Sequence, residues 1–451
     1  MIRAATGVFK TMDNKYLLQR SLRSVWHPCT QMKRHETLPL VPIQSGQGVW
    51  LRDYEGNRYL DAVSSWWVNL FGHCNPRINA AIADQLDKLE HVMLAGFTHE
   101  PAVLLAEKLS TLAPAGLGHC FYASDGASAT EIALKMSVHY WRNAGQTEKN
   151  SFVSLQNSYH GETLGALSVT DVPLFREAYG PLLKQHANLP SPDWRDAAAG
   201  ESAAEYALRC AQKLEEHLQQ HHAGIAALIV EPLVQGAAGM AMYHPLYLQR
   251  ARELCDRYQV HLIADEIAVG MGRTGTLFAC EQAGIRPDFL LLSKGITGGY
   301  LPLSVVMTTD EIYGAFYADE LARGFLHSHS YTGNPLACRA ALATLDIFEQ
   351  DRVLAANRAK AAYFNEIAKP LRDHPGVNHF RNTGMIWAFE VTTEHADFAQ
   401  RSFRLALECE LLLRPMGNTI YFMPPYVIGE DEMQLLAART LQVVDALASV
   451  E

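Results

Sequence analysis

A short apolar run, Leu290-Leu291-Leu292, ends in Ser293-Lys294-Gly295, with Gly298-Gly299 close behind. A run of this length beside a glycine-rich turn reads as a buried strand entering a loop. In open α/β sheets, ligands sit at the carboxyl ends of the strands. An amine buried there loses proton affinity and becomes a nucleophile toward carbonyls. A lone lysine after a strand is ordinarily a surface residue. Here it has company, because a second run, His261-Leu262-Ile263-Ala264, ends in Asp265-Glu266. The interval between the two runs holds a loop, a short helix and a return, as a parallel crossover requires.

A lysine and an acid on adjacent strand ends are the pair that pyridoxal phosphate needs. Lys294 would hold the aldehyde as a Schiff base, and Asp265 would keep the pyridine nitrogen protonated. The same cofactor needs a phosphate cup and a flat wall. The strand Phe121-Tyr122-Ala123-Ser124 leads into Asp125-Gly126-Ala127-Ser128, and a helix is expected from Glu131 to about Asn143. Small residues at a helix N-terminus let backbone N–H groups and the dipole meet a phosphate. After the strand Phe152-Val153-Ser154-Leu155 comes Tyr159-His160-Gly161, whose aromatic can stack on a ring. Ile225 to Val230 is a continuous apolar strand ending in Glu231-Pro232. Leu411-Leu412-Leu413 closes in Arg414, and an arginine there can clamp a carboxylate through two parallel hydrogen bonds.

Other candidates carry less. Trp66-Trp67 suits packing and a pocket wall equally. His327 and His329, beside hydroxyls and ahead of Gly333-Asn334-Pro335, suit a phosphate contact better than a metal. His217, His221 and His222 read as a solvated helix face. Gly270-Met271-Gly272-Arg273-Thr274-Gly275 has dinucleotide-like glycine spacing but lacks the strand–turn–helix context, so that reading is rejected.

The elements that must position these residues follow from bulk properties and pattern. With 451 residues, a large domain plus a smaller one is expected. A formal charge of −10 gives no electrostatic footprint for nucleic acid or an acidic membrane. Eight cysteines without a C-x-x-C indicate neither a zinc site nor a disulfide framework. The start lacks a signal peptide's apolar core, and no run reaches membrane-spanning length, so a cytoplasmic location is expected. Residues 1–25 read as a loosely held lead-in, 48–61 as a hairpin with a Glu-Gly-Asn turn, 76–93 as a helix, and 171–201 as loop and turn.

As a set, in this order, the small-residue phosphate turn, Tyr159-His160-Gly161, Glu231-Pro232, Asp265-Glu266-Ile267, the Gly-x-Gly-Arg-Thr-Gly loop, Ser293-Lys294-Gly295 and Gly333-Asn334-Pro335 resemble the class III, fold-type I pyridoxal-phosphate aminotransferases. The resemblance covers about Trp26 to Pro425. It implies an α/β fold: a large domain at 76–346 with a mainly parallel seven-stranded sheet flanked by helices, and a smaller α+β domain at 347–451. Residues 1–75 would join the smaller domain. It implies a homodimer with shared active sites. Lys294, Asp265 and Tyr159 would be catalytic. Gly126 and Ala127 would cup the phosphate, helped by His329 and Ser330 from across the dimer interface.

Within the class, Trp26-His27-Pro28, Ser64-Ser65-Trp66-Trp67, Met240 to Pro245, Arg414-Pro415-Met416-Gly417 and Met423-Pro424-Pro425-Tyr426 are similar to the branch that makes 7,8-diaminononanoate in biotin biosynthesis. That branch implies 8-amino-7-oxononanoate as acceptor and S-adenosylmethionine as donor, with Cys29, Trp66, Tyr159, Lys294, Ser328 and Arg414 contacting substrate. Cys29 stands where many members have tyrosine. Ala127 replaces a serine of the phosphate turn, and Ser328 and Ser330 replace a glycine and a threonine. These departures bear on the donor pocket. Gln235-Gly236-Ala237 lacks the glutamate that relatives using glutamate usually carry. An ω-amine:pyruvate aminotransferase, a lysine-using donor variant and a class III decarboxylase or aminomutase stay open beside this reading, and a non-catalytic scaffold is the alternative from another class.

Overall fold

The computed structural model describes residues 12–38 and 40–448. Residues 1–11, part of the expected lead-in, lie outside the described residues. The rest of that stretch is more ordered than expected: Asn14–Ser24 is a helix, capped by the Asp13 carboxylate on Tyr16 N. It buries none of its side chains, which is why its apolar residues give so faint a pattern.

Seven strands form the central sheet, in the order His119–Ala123, Ser304–Thr308, Phe289–Leu292, His261–Asp265, Ile225–Val230, Ser151–Leu155, Ala187–Leu189. Only Ser304–Thr308 runs against the others. The strands Ile225–Val230, His261–Asp265 and Phe289–Leu292 are buried along their whole length. That is what continuous apolar runs do in a sheet covered by helices on both faces. Ala187–Leu189 adds an edge strand inside the proline-rich stretch read as loop.

Two helices correct the expected boundaries. Pro76–Leu86 stops well short of residue 93, because Leu86 already faces solvent and the chain turns at Asp87. Gly126–Asn143 begins more than a turn before Glu131, since Asp125 caps it by accepting from Ser128 N at 2.9 Å.

The hairpin formed by Trp50–Asp53 and Arg58–Asp61 is present, with Ile43–Gln47 added on its outer side. Its inner strand pairs in parallel with Leu411–Leu412, so the N-terminal segment and the C-terminal part share one sheet. A separate antiparallel sheet runs Val377–Thr383, Ile386–Val391, Thr419–Phe422. No helix among the described residues is long and apolar enough to cross a membrane.

Candidate active site

Parallel pairing sets Asp265 beside Leu291, three residues ahead of Lys294. Both side chains, with Trp67, Asp125, Gly126, Ala127, Tyr159, His160, Gly161 and Glu231, line a cavity of about 500 Å³ at the carboxyl ends of the strands. Adjacent strand ends therefore deliver the lysine and the acid to one place, as the two apolar runs suggested.

The acid is buried and fixed. Asp265 Oδ2 shares a 2.7 Å hydrogen bond with His160 Nδ1, and Oδ1 accepts from Ile267 N at 3.1 Å. Lys294 Nζ makes no hydrogen bond or ion pair among the described residues, and lies 4.6 Å from the centre of the Trp67 ring. Removal from water lowers its proton affinity below that of an ordinary lysine, against the pull of Asp265 and Glu231. A free, partly desolvated amine of this kind is a competent carbonyl nucleophile and proton shuttle.

Glu231 is the residue sequence reasoning left without a role. Its carboxylate accepts from Tyr159 N at 3.0 Å and from Gly236 N at 2.9 Å. Burial pushes its pKa up to about 7, with His160 opposing and Asp265 reinforcing the shift. The signal was available: like Asp265, it ends a fully apolar strand.

The phosphate turn is built by close approach. A Cβ on Gly126 would lie 2.9 Å from Ile267 Cγ2, and one on Gly161 (φ +121°) would lie 2.6 Å from Ala127 Cβ. The helix beginning at Gly126 points its N-terminus into the cavity, where an anion is favoured. Tyr159 is partly buried in the wall and donates to Glu162 Oε1 at 3.0 Å. Burial raises its phenol above the ordinary range, with Glu162, Cys29 and Asp265 adding to the effect.

The tandem tryptophans divide their work. Ser64, Ser65, Trp66 and Trp67 all take positive φ, a run that L-residues disfavour. Asp61 holds it, accepting from Ser65 N and Oγ at 2.9 and 2.7 Å, while Ser64 Oγ donates to Met423 O at 2.7 Å. This turn sends Trp67 into the cavity and leaves Trp66 exposed. The Arg414 guanidinium lies 4.1 Å from the Trp66 ring and has no hydrogen bond or ion pair among the described residues. A guanidinium stacked on an aromatic ring keeps its N–H groups available and can receive a carboxylate.

Not every candidate is drawn together. Trp66, Arg414, Cys29, Ser328, His329 and Ser330 are absent from the cavity lining of the single chain. Ser328 and Ser330 are exposed. His329 Nε2 meets His327 Nε2 at 3.1 Å, and His327 meets Lys135 Nζ at 2.8 Å. Arg273, in the rejected dinucleotide-like loop, is fully buried and makes no ion pair among the described residues. It donates to Met423 O, Pro424 O and Asn69 O, tying the tryptophan turn to that loop.

The residues fit pyridoxal phosphate: a cradle only glycine allows, a helix N-terminus, a buried acid opposite a free amine, and aromatic walls. The family profile described as Aminotransferase class-III matches residues 31–444. An adenosylmethionine-8-amino-7-oxononanoate aminotransferase of Helicobacter pylori is 47% identical over 94% of this chain and 97% of its own. One of the same name from Geobacter sulfurreducens is 42% identical over 94% and 96%. Among solved structures, the enzyme of that name from Methanocaldococcus jannaschii superposes with a TM-score of 0.90 at 35% identity, covering 96% of this chain and 100% of that one. An omega transaminase from Pseudomonas jessenii in complex with PMP gives 0.91 at 27%, covering 96% and 98%.

Proposed function

The chain belongs to the class-III aminotransferase family and is a pyridoxal-phosphate-dependent transaminase, and on that premise we propose that it moves an amino group from S-adenosylmethionine to 8-amino-7-oxononanoate, giving 7,8-diaminononanoate for biotin biosynthesis. The observation that carries this reading is identity of up to 47%, along nearly the whole of both chains, to relatives named for that pair of compounds. The free guanidinium of Arg414 on Trp66 supports it, since the acceptor ends in a carboxylate.

When bound, pyridoxal phosphate supplies an aldehyde to carry the amino group and a ring that draws off an electron pair. Each residue then has a task. Lys294 Nζ, whose hold on its proton burial weakens, takes the α-proton of the donor and returns a proton in the second half-reaction. Asp265, its carboxyl held in place by His160, would face the cofactor's ring nitrogen and keep that nitrogen protonated. Gly126, Ala127 and the helix N-terminus receive the phosphate. Tyr159 and Trp67 wall the site and exclude water, and Glu231 anchors the backbone beneath them. Arg414 and Trp66 receive the acceptor's carboxylate. His329 and Ser330, outside the cavity of one chain, act from the second subunit of a homodimer, with Ser328 beside the substrate. A cytoplasmic location belongs to the same proposal.

A second reading is an ω-amine transaminase, favoured by neighbours such as the Thermomicrobium roseum enzyme, with a TM-score of 0.92 at 31% identity. One experiment separates the two. Loaded enzyme is mixed with S-adenosylmethionine and the visible absorbance followed. Bleaching, then recovery on adding 8-amino-7-oxononanoate, supports the proposal. Bleaching only with simple amines and recovery only with pyruvate moves the chain to the second reading, and bleaching with lysine alone changes the donor.

A further inference from the structure

The hairpin of Val234–Gln235 and Ala241–Met242 carries a tip, 236–240, that touches the reacting lysine's surroundings twice. Gly236 N donates to Glu231 Oε1 at 2.9 Å. A Cβ on Gly236 would stand 3.0 Å from the six-membered ring of Trp67, so the tip sets how far that indole can move. Lys294 Nζ rests 4.6 Å from the same ring.

Two guanidiniums grip the tip from outside. Ala238 O accepts from Arg195 at 3.1 Å, Met240 O from Arg381 Nε at 2.9 Å, and Gly239 O from Arg381 Nη2 on the same edge of the guanidinium. Three successive carbonyls are thus captured by two side chains. Arg381 is 4% exposed, and Glu390 meets both arginines. Met240 sits at φ +55°, a conformation that L-residues disfavour, so the grip acts where the tip is strained.

Strand register connects this grip to Trp67 by a second route. Arg381 pairs with Ala388, and Ala388 pairs with Tyr421, so the three form one row across the C-terminal sheet. Tyr421 Oη accepts the Trp67 indole N–H at 3.1 Å. The sheet therefore fixes Trp67 from one end directly and from the other through the hairpin tip.

We propose that Arg381 is a positioning residue for the reacting amine: its fork on Gly239 and Met240 holds the hairpin tip against Trp67, and so keeps water from Lys294. This rests on Lys294 being the lysine that reacts. Asp265 and Glu231 are the acids around that amine, with Tyr159, His160 and Glu162 in the same wall. Arg381→Lys keeps the charge at position 381 but cannot span two carbonyls. A looser tip admits water to the amine, which relieves the main cause of its low proton affinity.

The test uses the full-length, cofactor-free chain. Acetic anhydride modification of Lys294 is followed by peptide mass spectrometry across pH, in the parent, Arg381→Lys and Tyr421→Phe. The labelling midpoint is expected to rise by about one pH unit in Arg381→Lys and in the same direction in Tyr421→Phe. Unchanged midpoints, with only a lower melting temperature, would reduce Arg381 to a strut of the fold and overturn the proposal. If Arg381→Lys does not fold, Arg381→Gln, which also loses the fork but buries no ammonium, decides by the same criterion. The midpoints report the clamp even if another lysine carries the cofactor, so the two ideas fail separately.

Discussion

His160 Nδ1 and Asp265 Oδ2 share a 2.7 Å hydrogen bond between two buried side chains from neighbouring parts of the sheet's carboxyl edge. With Ile267 N on the other oxygen, the bond leaves Asp265 one orientation, facing the cavity. A carboxylate fixed this way is ready before anything binds. Asp265→Asn preserves the shape and removes the charge. We expect kcat to fall by roughly a thousandfold, the range of a lost proton-holding group, with little change in melting temperature. Steady-state kinetics beside calorimetry checks it.

Glu231 makes a pH signature. Its pKa rises from 4.5 to about 7 on folding because burial disfavours the carboxylate. Between those values the folded chain binds more protons than the unfolded one, so its contribution is fully present below pH 4.5. That contribution is lost as pH rises through about 7. The difference is on the order of 3 kcal/mol at most. Denaturant titrations of the cofactor-free chain at a series of pH values should show this slope, and Glu231→Gln should reduce it, leaving the part that Glu266, also raised to about 7 by burial, contributes.

Gly161 tests the phosphate cradle. At φ +121°, with Ala127 Cβ 2.6 Å from where its own Cβ would be, Gly161→Ala meets backbone strain and a clash together. The expected cost is about 2–4 kcal/mol, with weaker cofactor retention. Thermal melts and dialysis of the loaded variant measure both.

Arg414 tests the acceptor reading. Arg414→Lys keeps the charge but loses the fork and the stacking on Trp66. We expect the KM for 8-amino-7-oxononanoate to rise about tenfold to a hundredfold, as loss of about 1.5–3 kcal/mol requires, while the donor half-reaction stays near its parent rate. A donor half-reaction slowed as much as the acceptor one would count against it.

What the sequence made legible follows from burial. Lys294 and Asp265 stood out because Asp265 ends, and Lys294 closely follows, a short buried strand, and the parallel pairing follows from the interval between them. Glu231 ends the same kind of strand, but a carboxylate that binds only backbone N–H groups leaves no partner in the sequence to reveal its task. Trp67 could not be separated from Trp66, because four consecutive L-residues at positive φ are set by Asp61 and Met423, contacts that no local pattern encodes. The row of Arg381, Ala388 and Tyr421 depends on register across a bulge, which one strand's pattern does not fix. The short strand Ala187–Leu189 was hidden by the prolines around it.

The most direct test of the account is to fix the cofactor where it sits. Loaded enzyme is reduced with borohydride, digested and mapped by mass spectrometry. The account predicts a single pyridoxyl-phosphate mass increment on the peptide containing Lys294, and none in Lys294→Ala. The increment on a different lysine, or full labelling and turnover in Lys294→Ala, would contradict it.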